Sequence, residues 1–337
     1  MLAAVIEKPG VLTVRDVPDV TIDETECLVE MLACALCNST DLKLLQGHFR
    51  NRGPEVYPAI LGHESVGRVV RCGSRVRSFR EGDLVLRAGA SYLPGQGPSS
   101  LFGGLAQFGK VKDPAHGGSP ACQGVPAELD PHDATMLVTL KEALSWLQRW
   151  PVEAGQTVVI MGSGPVGLAF GWFARHLGCG PVVVLGRRDA PLRRALDLRA
   201  ADAVVNITEG DTEERVREAL GGGADRVIDA VGDDRLVELG FGLLASGGRL
   251  GLYGISATRT PGDMERRGVD IPMGRLEWSL DCFAPREAEA HEQAVQLVRE
   301  GRLRLRDWYS HVVPLEETQR GFDLLSSKAA FKVVVTM

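Results

Sequence analysis

Val158-Val-Ile-Met-Gly162-Ser-Gly164-Pro-Val-Gly167 is the stretch that decides the fold of this 337-residue chain. Four apolar residues run straight into three closely spaced glycines, and a largely apolar run then continues to His176. Each glycine answers a separate steric need. The first permits a tight turn, the second lets backbone approach a pyrophosphate, and the third lets helix and strand pack closely. A helix opening at this point aims unpaired N–H groups and the positive end of its dipole into the turn. Strand, turn and helix inside a βαβ unit are the context in which G-x-G-x-x-G signals dinucleotide binding. Gly162, Gly164, Pro165, Val166 and Gly167 are therefore candidate coenzyme-binding residues.

Outward from this turn, short apolar runs alternate with helix-compatible ones. The pattern predicts strands over 157–161, 182–185, 203–205, 226–231 and 249–253. It predicts helices over 134–150, from the glycine turn to 176, and over 191–199, 212–220 and 234–244. Such alternation calls for an α/β unit, a parallel sheet covered on both faces. Upstream, residues 1–110 read as β-rich, with strands over 3–6, 11–14, 27–35, 65–71 and 83–86, while 88–120 read as loop. The run 331–337 reads as a closing strand. The length suits roughly two domains.

The end of the second strand of the α/β unit selects the coenzyme. An NAD site usually carries an acidic residue there, which accepts a hydrogen bond from the ribose 2′-OH. Here the strand ends Leu185-Gly186-Arg187-Arg188. Glycine leaves room for a 2′-phosphate, and guanidinium matches phosphate geometry. Gly186, Arg187 and Arg188 thus favour NADP(H) over NAD(H), and Gly186→Asp is expected to move the preference toward NAD.

Net charge of −6 argues against nucleic acid or an anionic membrane as a main partner. No run approaches the ~18 apolar residues of a membrane helix, and the first residues do not read as a signal peptide. Seven scattered cysteines do not make a disulfide framework. The expectation is a cytoplasmic protein acting on a small molecule.

Two further stretches carry a resemblance. One is Cys34-Ala-Leu-Cys37-Asn-Ser-Thr40-Asp41-Leu-Lys43; the other is Leu61-Gly62-His63-Glu64-Ser-Val-Gly67, continuing to Gly82-Asp83. With the glycine turn, they resemble the zinc-dependent alcohol dehydrogenase branch of the medium-chain dehydrogenase/reductase superfamily, over essentially the whole chain. The resemblance implies a GroES-like β-rich catalytic domain from 1–141 and 283–337, and a Rossmann domain from 142–282. It implies one catalytic zinc held by Cys37 and His63, with Glu64 coordinating or sitting behind the metal. It also implies a relay hydroxyl that passes the alcohol proton outward. Relatives place two residues between the zinc cysteine and the aspartate, whereas here there are three, so either Ser39 or Thr40 fits. Lys43 stands where a relay histidine often follows. The remaining ligand position is Thr139, a poor zinc ligand, and Glu142 is an alternative donor. Lys332 matches a basic position that touches the coenzyme pyrophosphate. No cysteine lies between Arg87 and Val111, so the family's structural zinc is not expected.

The resulting expectation is hydride transfer between NADP(H) and an alcohol or carbonyl. The alternatives are a zinc-free reductase acting on an activated C=C bond and a non-enzymatic nucleotide-binding protein. The substrate pocket is expected from the loops around 47–50, 91–102 and 278–283. Arg50, Arg52 and Lys43 would suit a sugar-like or cyclitol-like alcohol. A homodimer or homotetramer is expected, pairing through an edge strand at 275–280.

Overall fold

The computed structural model describes residues 1–48, 54–150, 152–254, 276–278 and 286–337, with backbone only at Pro54 and over 276–278. The expectations for Phe49, Arg50 and Arg52 and for the loop beyond 278 lie outside the described residues. The chain divides into two compact units, Met1–Lys141 with Glu287–Met337, and Glu142–Arg286.

The first unit is built on two sheets. Its strands in chain order are β1 (Leu2–Lys8), β2 (Val11–Asp16), β3 (Glu26–Leu36), β4 (Ala59–Ile60), β5 (Glu64–Cys72), β6 (Leu84–Leu86), β7 (Ser99–Ser100), β8 (Phe108–Lys112) and β9 (Gly124–Val125). A short helix α1 (Thr40–Leu45) follows β3, and α2 (Pro131–Arg149) runs across the division between the units. One sheet has the order β2-β1-β4-β7. In the other, β3 pairs antiparallel with both β5 and β8, and β5 passes the ladder on to β6 and β9.

The second unit contains β10 (Val158–Met161), α3 (Pro165–His176), β11 (Val182–Gly186), α4 (Asp189–Asp197), β12 (Ala203–Asn206), α5 (Thr212–Leu220), β13 (Ala224–Asp229), α6 (Asp234–Leu243), β14 (Leu244–Leu252) and β15 (Leu276–Trp278). All five pairings in its sheet are parallel. The order β12-β11-β10-β13-β14-β15 is the doubly wound Rossmann order, which reverses direction at β10. Every residue of β10 and β11 is buried, because helices cover both faces of a parallel sheet. That is why these strands read as unbroken apolar runs.

The chain then returns to the first unit through α7 (His291–Arg299), β16 (His311–Pro314), α8 (Thr318–Ser326) and β17 (Val333–Thr336). β17 closes onto β3 in antiparallel register, pairing Val335 with Cys34 and Val333 with Leu36.

Three differences from the sequence expectation have simple causes. β8 lies inside the region read as loop, because Phe-Gly-Lys-Val-Lys is short and glycine-interrupted, and β3 recruits it by pairing. β16 is four residues with two buried or half-buried positions, parallel to β17, and carries too little periodicity to stand out. α7 and α8 are nine-residue amphipathic helices that were not anticipated.

Candidate active site

β3 ends at Leu36 and delivers Cys37, after which the chain turns into α1. β5 begins at Glu64, so Gly62-His63-Glu64 is the entry to the neighbouring strand. Gly62 sits at φ +104°, and a Cβ there would lie 2.7 Å from the Cys34 sulfur and 2.9 Å from the Leu105 nitrogen. Only glycine fits this turn, which brings His63 and Glu64 beside Cys37.

The ligand atoms of Cys37, His63 and Glu64 all lie within 4.8 Å of one another. His63 Nε2 is 3.8 Å from a Glu64 oxygen. On its other side His63 Nδ1 is 3.2 Å from Asp41, which is fully buried. The second Asp41 oxygen accepts the backbone N–H of Cys37 at 2.8 Å. One carboxylate on α1 thereby orients two donors, leaving Nε2 as the nitrogen that could coordinate a metal. Burial works to lower the His63 pKa, but the Asp41 carboxylate and then the Cys37 sulfur overcome it and hold the imidazole protonated to higher pH. A coordinating nitrogen must give up its proton, so protons and a metal ion compete for His63.

Glu64 is 3% exposed, and both of its oxygens are engaged. Lys332 Nζ donates to one at 2.8 Å and lies 2.7 Å from the other. Thr139 Oγ1, from α2, donates at 3.0 Å. Burial acts to lower the Lys332 pKa, but Glu64 in contact and Cys37 beyond it raise the ammonium above its usual value. Lys332 precedes β17 and is buried against Glu64, the position of a counter-ion. Thr139, the weak ligand of the sequence reading, instead supports Glu64 by a hydrogen bond.

Of the relay candidates, Ser39 is exposed, while Thr40 and Lys43 are half-buried three residues apart on α1. Phe102 ends the 91–102 loop expected at the substrate pocket. Its ring centroid lies 4.9 Å from that of His63, its backbone has φ +81°, and it is 51% exposed. A large apolar ring in the left-handed region thus stands beside a candidate ligand, on backbone packed against Gly89. A glycine-rich loop sequence gives no sign of it. Asp41 could have been found, as a buried acid four residues after Cys37.

In the second unit the glycine turn follows β10. Gly162 has φ +126°, and a Cβ on Gly167 would stand 1.9 Å from the Gly162 carbonyl oxygen. Gly164 caps α3; among the described residues nothing lies within 4 Å of its Cβ position and no side chain caps the helix. Pro165 and Val166 open the helix. The N-terminal amides of α3 thus have no side-chain cap among the described residues, the kind of helix start that can take a phosphate. At the end of β11, Gly186 is buried, and Arg187 and Arg188 are exposed. Asp189, the nearest acid, is bonded to the Asn206 amide at 2.8 Å. A Cβ on Gly186 would lie 2.5 Å from Ser163 Oγ and 3.0 Å from Leu192. Gly186→Asp therefore also disturbs the turn, and Arg187 is the cleaner position for testing coenzyme choice.

Residues 23–139 match the alcohol dehydrogenase GroES-like domain family, and residues 165–298 match the zinc-binding dehydrogenase family. The chain is 25% identical over 362 residues to D-arabinitol dehydrogenase 1 of Uromyces fabae, covering 99% of this chain and 97% of that one. A protein assigned as a zinc-binding dehydrogenase from Sinorhizobium meliloti 1021, solved with NADP bound, is 26% identical with a TM-score of 0.78, covering 100% and 99% of the two chains. Alcohol dehydrogenase from Thermus sp. ATN1 shares the fold at a TM-score of 0.82 and 24% identity, over 100% and 99% of the two chains. Among the described residues, no helix is long and apolar enough to cross a membrane.

Proposed function

The chain belongs to the zinc-dependent alcohol dehydrogenase branch of the medium-chain dehydrogenase/reductase superfamily, and from that premise we propose that it moves a hydride between NADP(H) and an alcohol or its carbonyl. The observation that carries the reading is the trio Cys37, His63 and Glu64, gathered within 4.8 Å. A thiolate, an imidazole and a carboxylate suit Zn²⁺ and leave a fourth position for substrate oxygen. When bound, zinc polarises that oxygen, and the nicotinamide gives or takes the hydride.

The chain's own residues set the terms. Asp41 fixes the face of His63 and the position of Cys37. Lys332 and Thr139 hold the Glu64 carboxylate in one orientation beside the other two donors. In the oxidative direction the alcohol proton passes to the Thr40 hydroxyl, which releases its own proton outward past Lys43. Half-burial on α1 supports Thr40 over the exposed Ser39 for this role. Gly162, Gly164, Pro165, Val166 and Gly167 cradle the pyrophosphate. Gly186, Arg187 and Arg188 receive the 2′-phosphate, a reading supported by the NADP-bound relative. The relative named for D-arabinitol brings polyols onto the substrate panel.

The same reading places the protein in the cytoplasm as a homodimer or homotetramer. β15, the last strand in the order of its sheet, is the pairing edge, and a monomer in sedimentation would remove that part. The deciding experiment for activity is NADPH- and NADH-linked turnover of alcohols and carbonyls before and after chelation. Loss on chelation with restoration by zinc supports the reading. Chelation-proof reduction of activated C=C bonds would assign the chain to the zinc-free reductases.

A further inference from the structure

Cys27 near the start of β3 and Cys72 at the end of β5 stand directly opposite each other across the antiparallel pair. Both are free thiols, with sulfur atoms 2.8 Å apart. A disulfide bond measures about 2.0 Å between its sulfurs, so a small movement of two side chains separates contact from bond. Strand pairing fixes the two Cα positions opposite each other, so the sulfurs meet through side-chain rotation alone. Cys27 is fully buried among Val29, Val69 and Phe79, whereas Cys72 is half-buried. Burial, with Cys72 alongside, pushes the Cys27 thiol well up, and Cys72, the more exposed of the two residues, is the one a small oxidant meets first.

We propose that Cys27 and Cys72 are a peroxide-sensitive thiol pair that closes reversibly into a disulfide. The Cys72 thiolate attacks one peroxide oxygen, the O–O bond breaks, and Cys72 becomes a sulfenic acid as the first water forms. Cys27 then attacks the Cys72 sulfur and gives up its proton, the S–O bond breaks, and the second water leaves. Two thiols lose two electrons to one peroxide, and exchange with a small thiol reverses the step. Reversible disulfides of this kind are compatible with a reducing compartment. The bond would tie together the ends of the segment that contains Cys37, His63 and Glu64. It would do so from the far end of β3, ten residues before Cys37, without touching the ligands.

The test treats the purified full-length protein with hydrogen peroxide, caps remaining thiols, and digests with trypsin without reduction. The expected product joins peptide 16–43 to peptide 72–75, lighter by two hydrogens than the reduced pair and split by dithiothreitol. Peptide 16–43 also contains Cys34 and Cys37, so fragment ions must place the link on Cys27. Cys27→Ser should abolish the product, and Cys34→Ser should leave it. No linked peptide at peroxide doses that oxidise other thiols would overturn the proposal. So would a link that maps to Cys34 or Cys37 in the wild-type protein, or one that survives Cys27→Ser.

Discussion

Lys332→Met leaves the Glu64 carboxylate buried with the Thr139 hydroxyl at 3.0 Å and His63 Nε2 at 3.8 Å, and the cost can be worked from the geometry. At 2.7 Å and an effective dielectric of about 20, the gross attraction is about 6 kcal/mol. The two side chains are each 3% exposed, so desolvation consumes much of that gain. Removing one partner of a buried pair nevertheless costs about 3–5 kcal/mol, because the other charge is left uncompensated. The first unit contains about 190 residues, and that loss lowers its melting temperature by roughly 6–20 °C. The assay is thermal and urea unfolding of wild type, Lys332→Met, Glu64→Gln and the double variant. Glu64→Gln removes the charge while keeping an oxygen for Thr139. If the pair is the source of the stability, the double variant loses less than the sum of the singles by about 2 kcal/mol or more. Additivity within about 0.5 kcal/mol would refute the reasoning, since independent sites add to that precision.

Arg187→Gln should raise the KM for NADPH roughly 10- to 100-fold, the worth of a charge-assisted hydrogen bond to phosphate, with the KM for NADH nearly unchanged. Equal effects on both coenzymes would remove Arg187 from the 2′-phosphate site. Phe102→Gly relieves a left-handed backbone at a gain of about 1 kcal/mol and removes the ring beside His63. Its expected signature is an intact fold with substrate KM values redistributed toward bulkier alcohols, and an unchanged panel would mark the ring as incidental. Asp113 is buried. Burial acts to raise its pKa, but hydrogen bonds from the Arg77, Ser78 and Ala115 backbone and the Ser78 hydroxyl outweigh that and hold it well below the usual carboxylate range. A lowered folded pKa means the unfolded chain takes up the proton more readily, so this stability is complete above the unfolded value near 4 and fades as pH falls through the lower folded one. Asp113→Asn should therefore cost on the order of 2 kcal/mol at neutral pH. Urea midpoints of the two proteins should converge below about pH 4, and parallel curves would contradict the assignment.

The α/β unit was legible because its strands are buried on both faces and its glycines answer backbone needs that no other residue meets. A Cβ on Gly167 would run into the Gly162 carbonyl oxygen, and this kind of constraint writes itself directly into sequence. The metal trio was legible by resemblance, since Cys37 and His63 lie 26 residues apart and come together only through β3–β5 pairing. Lys332 as a counter-ion was not legible, for a related reason. Its partner Glu64 is 268 positions away, and nothing local marks a lysine as an internal counter-ion. Phe102 and β8 lay within a stretch whose glycines and prolines suppress periodicity, so pairing partners rather than local pattern define them.

The measurement that tests the central claim most directly is zinc content per chain, taken together with NADPH-linked turnover across stepwise chelation and zinc return. The account predicts about one zinc per chain in the wild-type protein, activity falling in proportion to zinc removed, and neither zinc nor turnover in Cys37→Ser. Full turnover in protein stripped of metal would contradict it, and the trio would then have to be explained without a metal.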